Sequence, residues 1–224
     1  KEKYPNPKYT YRFVFVPETI GSITYLSKNL DELQENVVCG FSLSCVGDER
    51  AYSHINSRMG DNLADNALQA ALIGLDNVVT YSFLERGSDE RQYCSPEVDL
   101  PICGFSRTKY GKYPEYHTSA DNFDVVTEEG LNGSIDVMSS IIDAFEIGLF
   151  PKNTIKCEPQ LGKRNLYPTI SQKGGYVDVN TRMDFLAYAD GNHSLFDISK
   201  KIDKNLSLVI LEAKILKEHG LIEL

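Results

Sequence analysis

The sequence predicts an α/β protein: a sheet covered by helices on both faces, followed by a small winged helix. Three observations predict it. Short β-branched and aromatic runs alternate with amphipathic helical stretches as far as Phe150, the pattern of a sheet sandwiched between helices. Composition then shifts at 151–175 to Pro, Gly, Lys and Asn with little periodicity, which reads as a linker. From 176 to 224 three short helical patterns and an apolar end, Leu221-Ile222-Glu223-Leu224, follow in winged-helix order.

The elements follow from local chemistry. Tyr11 to Val16 (YRFVFV) has the composition of a central strand. Pro17 ends it, and Thr19 is placed to cap a helix running to Asn36. Val37 to Val46 returns as a strand in which Cys39 and Cys45 share parity as small core-side residues. A helix over 62–75, a strand over 78–84, a strand over 101–105 and a long helix over 128–150 capped by Thr127 complete the first part. In the second part, helices are expected at 181–189, 195–202 and 206–219, the last stopped by Gly220.

Bulk properties exclude several classes. The net charge of −9 argues against a general nucleic-acid or anionic-membrane surface. Five scattered cysteines without a CxxC pair predict neither a disulfide framework nor a zinc knuckle, and favour a reducing cytoplasm. No signal-peptide pattern is present, and no apolar run approaches the ~20 residues that span a bilayer.

Chemistry concentrates between Gly87 and Asp121, where GSDERQYCSP and PEYHTSAD stand a strand apart. A carboxylate at one strand end and an imidazole in the loop after the next suit a zinc site at a sheet edge. Together with YRFVFVPETIGS, these strings resemble the later half of the di-zinc aminopeptidase family. They are most similar to a bacterial group of aminopeptidase-like proteins ending in a winged helix. The resemblance implies a three-layer zinc-exopeptidase sheet, incomplete here on its N-terminal side, and two zinc ions in the intact site. It implies Asp89 and His117 as metal ligands and Glu18 as the general base; Glu18 reads equally well as a helix-start acid favoured by the macrodipole. Asp121, four residues beyond His117, is placed to orient that ring. Glu90, Arg91, Arg107 and Tyr110 flank the ligands, as substrate contacts or as loop hydrogen-bonders.

The departures matter. One glutamate stands where the family has a Glu-Glu pair, and its spacing to Gly21-Ser22 is short. The family's first histidine and bridging aspartate precede the strand matched by Tyr11–Val16, yet residues 1–10 hold neither type. The expectation is a zinc-dependent hydrolase of a peptide or small amide that needs an upstream half outside this chain. Surface-polysaccharide association of similar proteins adds a sugar amide by resemblance. The alternative is an inactive module whose winged helix recruits a protein partner or a second copy. DNA reading is disfavoured, because Arg182 to Leu224 is slightly acidic. His54 reads as a surface or loop histidine, His193 and His219 as structural, and Cys94 as no nucleophile.

Overall fold

The structure, a computed structural model, describes residues 3–164, 166 and 179–224. Contacts divide the chain into two units, one of residues 11–138 and one of 1–10 with 139–224.

The first unit holds a mixed sheet of β1 (Gly40–Leu43), β2 (Tyr52–Ile55), β3 (Val78–Tyr81) and β4 (Ile102–Ser106), ordered β1-β4-β2-β3. β1 and β4 are parallel, with Gly40 opposite Ile102, and β2 and β3 are parallel, with Tyr52 opposite Val78. β2 and β4 run antiparallel, with His54 opposite Phe105. Cys103, Gly104, Phe105 and Ser106 are all buried, so β4 is covered on both faces. Helix α1 (Ile20–Asn36) packs on the short α3 (Glu90–Tyr93), and α2 (Leu63–Leu72) packs on β4 and β2. Ala64, Ala67, Ala70 and Ala71 on α2 are buried, and their small volume lets the helix approach the sheet closely. Asn62 caps α2 by accepting from the Asp65 amide, and Asp65 reciprocates.

Helix α4 (Glu128–Ile147) starts where Thr127 Oγ1 accepts the Gly130 amide at 3.0 Å. A Cβ on Gly130 would overlap the Gly47 carbonyl, so the helix comes this close only with glycine there. Helix propensity favours alanine by about 1 kcal/mol, whereas overpacking against rigid backbone costs about 1–3 kcal/mol. Gly130→Ala is therefore expected to lower the urea midpoint, by about 1–2 kcal/mol net; a raised midpoint would contradict the close approach.

The second unit is a winged helix: α5 (Val179–Tyr188), α6 (Leu195–Ile202) and α7 (Leu206–Glu218), with β5 (Lys152–Asn153) antiparallel to β6 (Ile222–Glu223). Phe185, Leu195, Phe196, Ile198, Leu206, Leu216 and Leu221 form its buried centre. Ser194 and Asp197 make a capping box on α6, and Gly220 takes φ 65° after α7. Tyr4 Oη donates to Asp143 at 2.6 Å, and the Tyr9 ring meets Phe145 edge-on, tying the N-terminal segment to the end of α4. No described helix is long and apolar enough to cross a membrane.

Several expectations are corrected. Tyr11–Val16 is not a strand, because no described strand pairs with it. The run at 37–46 pairs only over Gly40–Leu43; Cys45 has φ 53°, which a strand does not permit. A strand at Tyr52–Ile55 and the turn of helix at Glu90–Tyr93 were not expected, both being shorter than a periodicity window resolves. Of the expected linker, 151–164 and Leu166 are described, with a short strand and a 3-10 turn at Leu161–Arg164; Asn165 and 167–175 lie outside the described residues, as does the start of the 176–224 unit.

Candidate functional site

The candidate site is built around an unusual turn. Thr19 has φ 64° and ψ −68°, and the Ile20 amide bonds the Glu18 carbonyl at 2.7 Å. This is the rare γ-turn with positive φ, strained for a β-branched residue. The expected side-chain cap is absent: Thr19 does not cap α1 with its hydroxyl. Its hydroxyl instead accepts from Arg91 Nη2 at 2.6 Å, and its amide donates to Asp89 Oδ1 at 2.7 Å. Ser22 Oγ, fully buried, also donates to Asp89 Oδ1, at 2.9 Å. The carboxylate thus substitutes for the missing cap at a helix N-terminus, where negative charge is stabilised. Both donors fall on Oδ1, so the described hydrogen bonds leave Oδ2 unclaimed.

The same turn brings Glu18 toward the second string. Glu18 is exposed, and its charge reaches the Tyr116 phenol. That phenol is held above its ordinary pKa, first by burial and then by Cys45 and Glu18. Tyr116 stacks on the adjacent His117 with ring centres 3.9 Å apart. His117 is exposed with φ 60°, and no hydrogen bond joins its ring to a described residue. Thr19, Cys45 and His117, all with left-handed φ, therefore flank one neighbourhood, as strained residues at ligand sites often do. Asp121 accepts from Tyr113 Oη at 3.0 Å, and that same hydroxyl lies 3.4 Å from Cys45 Sγ.

The remaining candidates hold the loops. Glu90 is buried and accepts the Gly87 and Ser88 amides at 2.9 and 3.1 Å and the Tyr110 hydroxyl at 2.5 Å. Burial and then this carboxylate push the Tyr110 phenol well up. Arg107 is buried with its guanidinium over the Tyr52 ring, donating to the Ala51 and Gly130 carbonyls. Arg91 Nε is buried with no described partner. Cys94 donates to the Ile102 carbonyl, and burial raises its thiol to about 12, which keeps it un-ionised.

For zinc the donor chemistry fits in part. Glu18, Asp89 Oδ2 and His117 offer two carboxylates and an imidazole, the mixed set zinc accepts. Among the described residues they do not converge into a group of three with ligand atoms within 4.8 Å of one another; the group that does is His54, Asp65 and Cys103. Here the expectation for His54 is corrected: it is fully buried on β2, not a surface or loop residue. Asp65, also fully buried, accepts from His54 Nε2 at 3.0 Å, the Ser57 amide at 2.9 Å, Ser57 Oγ and the Asn62 amide at 3.2 Å. Burial alone would raise the Asp65 carboxyl, but the His54 and Ser57 bonds outweigh it and hold the pKa below its ordinary value. Burial keeps the Cys103 thiol protonated. With both Asp65 oxygens saturated, this cluster is a hydrogen-bonded knot joining β2 to α2. Only the Asn62-x-x-Asp65 capping spacing announced it in the sequence.

Comparison with known proteins gives consistent results. Residues 2–148 match a family described as a domain of unknown function (DUF4910), and residues 150–224 match the winged helix-turn-helix family. A Clostridium acetobutylicum protein is 40% identical over 202 residues, covering 87% of this chain and 45% of its own length. Its name gives it an aminopeptidase-like domain and a provisional place in polysaccharide biosynthesis. A crystal structure of a provisional peptidase from Clostridium acetobutylicum superposes with a TM-score of 0.82 at 34% identity, over 99% of this chain and 50% of that one. The likeness to an aminopeptidase from Aneurinibacillus sp. strain AM-1 (TM-score 0.44, 24% identity, 55% of this chain and 29% of that one) is too faint to carry an argument. The chain spans about half the length of the relatives it matches. It belongs to the DUF4910 family, with an aminopeptidase-like α/β fold and a winged helix-turn-helix domain behind it.

Proposed function

We propose that this chain supplies the later half of a zinc-dependent aminopeptidase-like hydrolase acting on a peptide or small amide. The observation that carries this reading is the strained turn at Thr19. It commits Asp89 Oδ1 to the start of α1, leaves Oδ2 unclaimed, and sets Glu18 within electrostatic reach of Tyr116 beside His117. Asp89 and His117 would hold metal, and a bound zinc pair would polarise the scissile carbonyl. Glu18, exposed and with no described hydrogen-bond partner on its carboxylate, is the general base that takes the proton from the attacking water and returns it to the leaving amine. Arg91 keeps the turn in place through Thr19.

A zinc pair requires more ligands than Glu18, Asp89 and His117, and the rest are proposed to come from the part of the relatives' length that this chain does not match. In that longer polypeptide, elemental analysis is expected to find about two zinc per chain, with metal lost in Asp89→Ala and in His117→Ala. Metal absent from the parent, or unchanged in both variants, would overturn the reading. The winged helix is proposed to serve protein contact: Leu211 on α7 is 48% exposed, where a phosphate-binding face would need basic residues.

A further inference from the structure

Three cationic side chains are buried among the described residues: Arg107, Lys109 and Arg182. Arg107 donates to two carbonyls, and Arg182 to a carbonyl and to Glu212. Lys109 is 5% exposed, yet no hydrogen bond or ion pair joins its ammonium to a described residue. Burying a charge unpaired is costly. Aromatic faces offset part of that cost: Nζ lies 3.9 Å from the centre of the Tyr110 ring and 5.4 Å from that of Tyr81. A second ammonium meets the same aromatic group, with Lys112 Nζ 5.8 Å from the Tyr81 ring centre. Lys112 is exposed, and among the described residues it too has no acid partner.

The fold builds this arrangement just beyond β4. The Lys112 amide closes a turn onto the Lys109 carbonyl at 3.0 Å, and Gly111 takes the φ of 70° that a type II turn requires of its third residue. Two lysines three residues apart are thereby brought to one ring. The Tyr110 ring is fixed by its hydroxyl, which donates to Glu90 Oε1 at 2.5 Å, and by Gly87, where a Cβ would strike it. The acids nearby are engaged elsewhere: Glu90 Oε1 also takes the Gly87 and Ser88 amides, and Glu85 takes the Ser82 amide. Burial and then Lys112 hold the Lys109 amine below its ordinary pKa, outweighing the pull of Glu90, Glu85 and Cys45.

We propose that Lys109 and Lys112 form a binding site for a small oxyanion, a carboxylate or a phosphate, carried by the substrate. An oxyanion between the two ammoniums gives each the partner it lacks and replaces their repulsion with charge-assisted hydrogen bonds. Lysines present point charges and not a planar fork, so the pair reads charge, which both anions share. The site adjoins the candidate centre. Tyr110 grips Glu90, the sequence neighbour of Asp89, and the Cys45 thiol that acts on Lys109 lies 3.4 Å from Tyr113 Oη. The substrate is then an acidic peptide or an acidic amide. That the anion belongs to the substrate rests on the proposed hydrolase reading; that an anion binds does not.

The test is an NMR titration of this chain, isotope-labelled at its lysines and stripped of metal and then of chelator. The probes are inorganic phosphate, N-acetylglutamate and, as the uncharged counterpart, N-acetylglutaminamide. The Lys109 Cε signal should shift saturably with phosphate, with N-acetylglutamate or with both, and not with the neutral amide; the anion that binds identifies the source. With the anion bound, the Lys109 amine should titrate at higher pH than in the free chain, because the anion opposes both burial and Lys112. Lys109→Gln, read on the Lys112 signal, should weaken binding about tenfold or more, the loss of one charge-assisted hydrogen bond, and Lys109→Arg should keep most of it. Lys112→Gln, at an exposed position that leaves the core intact, should weaken binding about threefold, and it decides the matter where Lys109→Gln does not fold. No saturable shift with either anion, an equal shift with the neutral amide, or unchanged affinity in Lys112→Gln overturns the inference. Because metal is absent throughout, none of these outcomes depends on whether the protein binds zinc or hydrolyses anything.

Discussion

Asp65→Ala is expected to destabilise the sheet unit by about 3–5 kcal/mol, the range for removing one partner of a buried, hydrogen-bonded charge. The residue is fully buried and takes four donors: two backbone amides, a hydroxyl and an imidazole. Without it, the amides of Ser57 and Asn62 and the ring of His54 are left in a dry interior, each costing about 1–3 kcal/mol if unpaired. Asp65→Asn keeps the volume but turns an acceptor into a donor facing donors, so it should recover little. Calorimetry of the first unit's unfolding measures both; a loss under ~1 kcal/mol would show that the knot is dispensable. The pH dependence has a definite sign. The folded carboxyl lies below its unfolded value of about 3.9, so its contribution is complete above that pH. It is lost as pH falls below about 4 through the folded pKa, and Asp65→Ala should flatten that part of the acid-unfolding curve.

Arg182→Ala should cost the winged helix about 3–5 kcal/mol, for a related reason. Glu212 on α7 is fully buried and takes two guanidinium nitrogens of Arg182 on α5, whose Nη1 also donates to the Leu166 carbonyl at 2.5 Å. Removing the arginine strands a carboxylate among the apolar residues of the helix bundle. Removing both charges does not: Arg182→Met with Glu212→Leu restores apolar packing, and replacing a buried pair in this way is often neutral or stabilising. Urea denaturation should therefore rank the variants as parent close to the double, and the single far below. A single variant as stable as the parent would mean that Glu212 finds water or another partner.

The sequence announced what local chemistry controls. The helix starts expected at 62 and 195 and the stop at Gly220 are written in residues a turn apart, and the structure places them there to within a residue. The strings GSDERQYCSP and PEYHTSAD were legible because each is contiguous, and they pointed to the aminopeptidase-like fold. Pairing was not legible. YRFVFV reads as a strand because β propensity records how side chains suit a pleated surface, whereas a ladder needs a neighbour that propensity cannot supply. His54 read as a loop residue because its partner Asp65 lies across the β2–α2 connection, visible only once the helix is docked.

The sequence by itself determined the class of fold and where most of the helices lie, since these depend on residues within a few positions of one another. The tertiary structure alone decided that Asp89, 70 residues from Thr19, caps α1 with a single oxygen and holds a strained turn beside Glu18. A strained backbone persists only where distant groups over-determine it, and those groups meet only after the chain has folded.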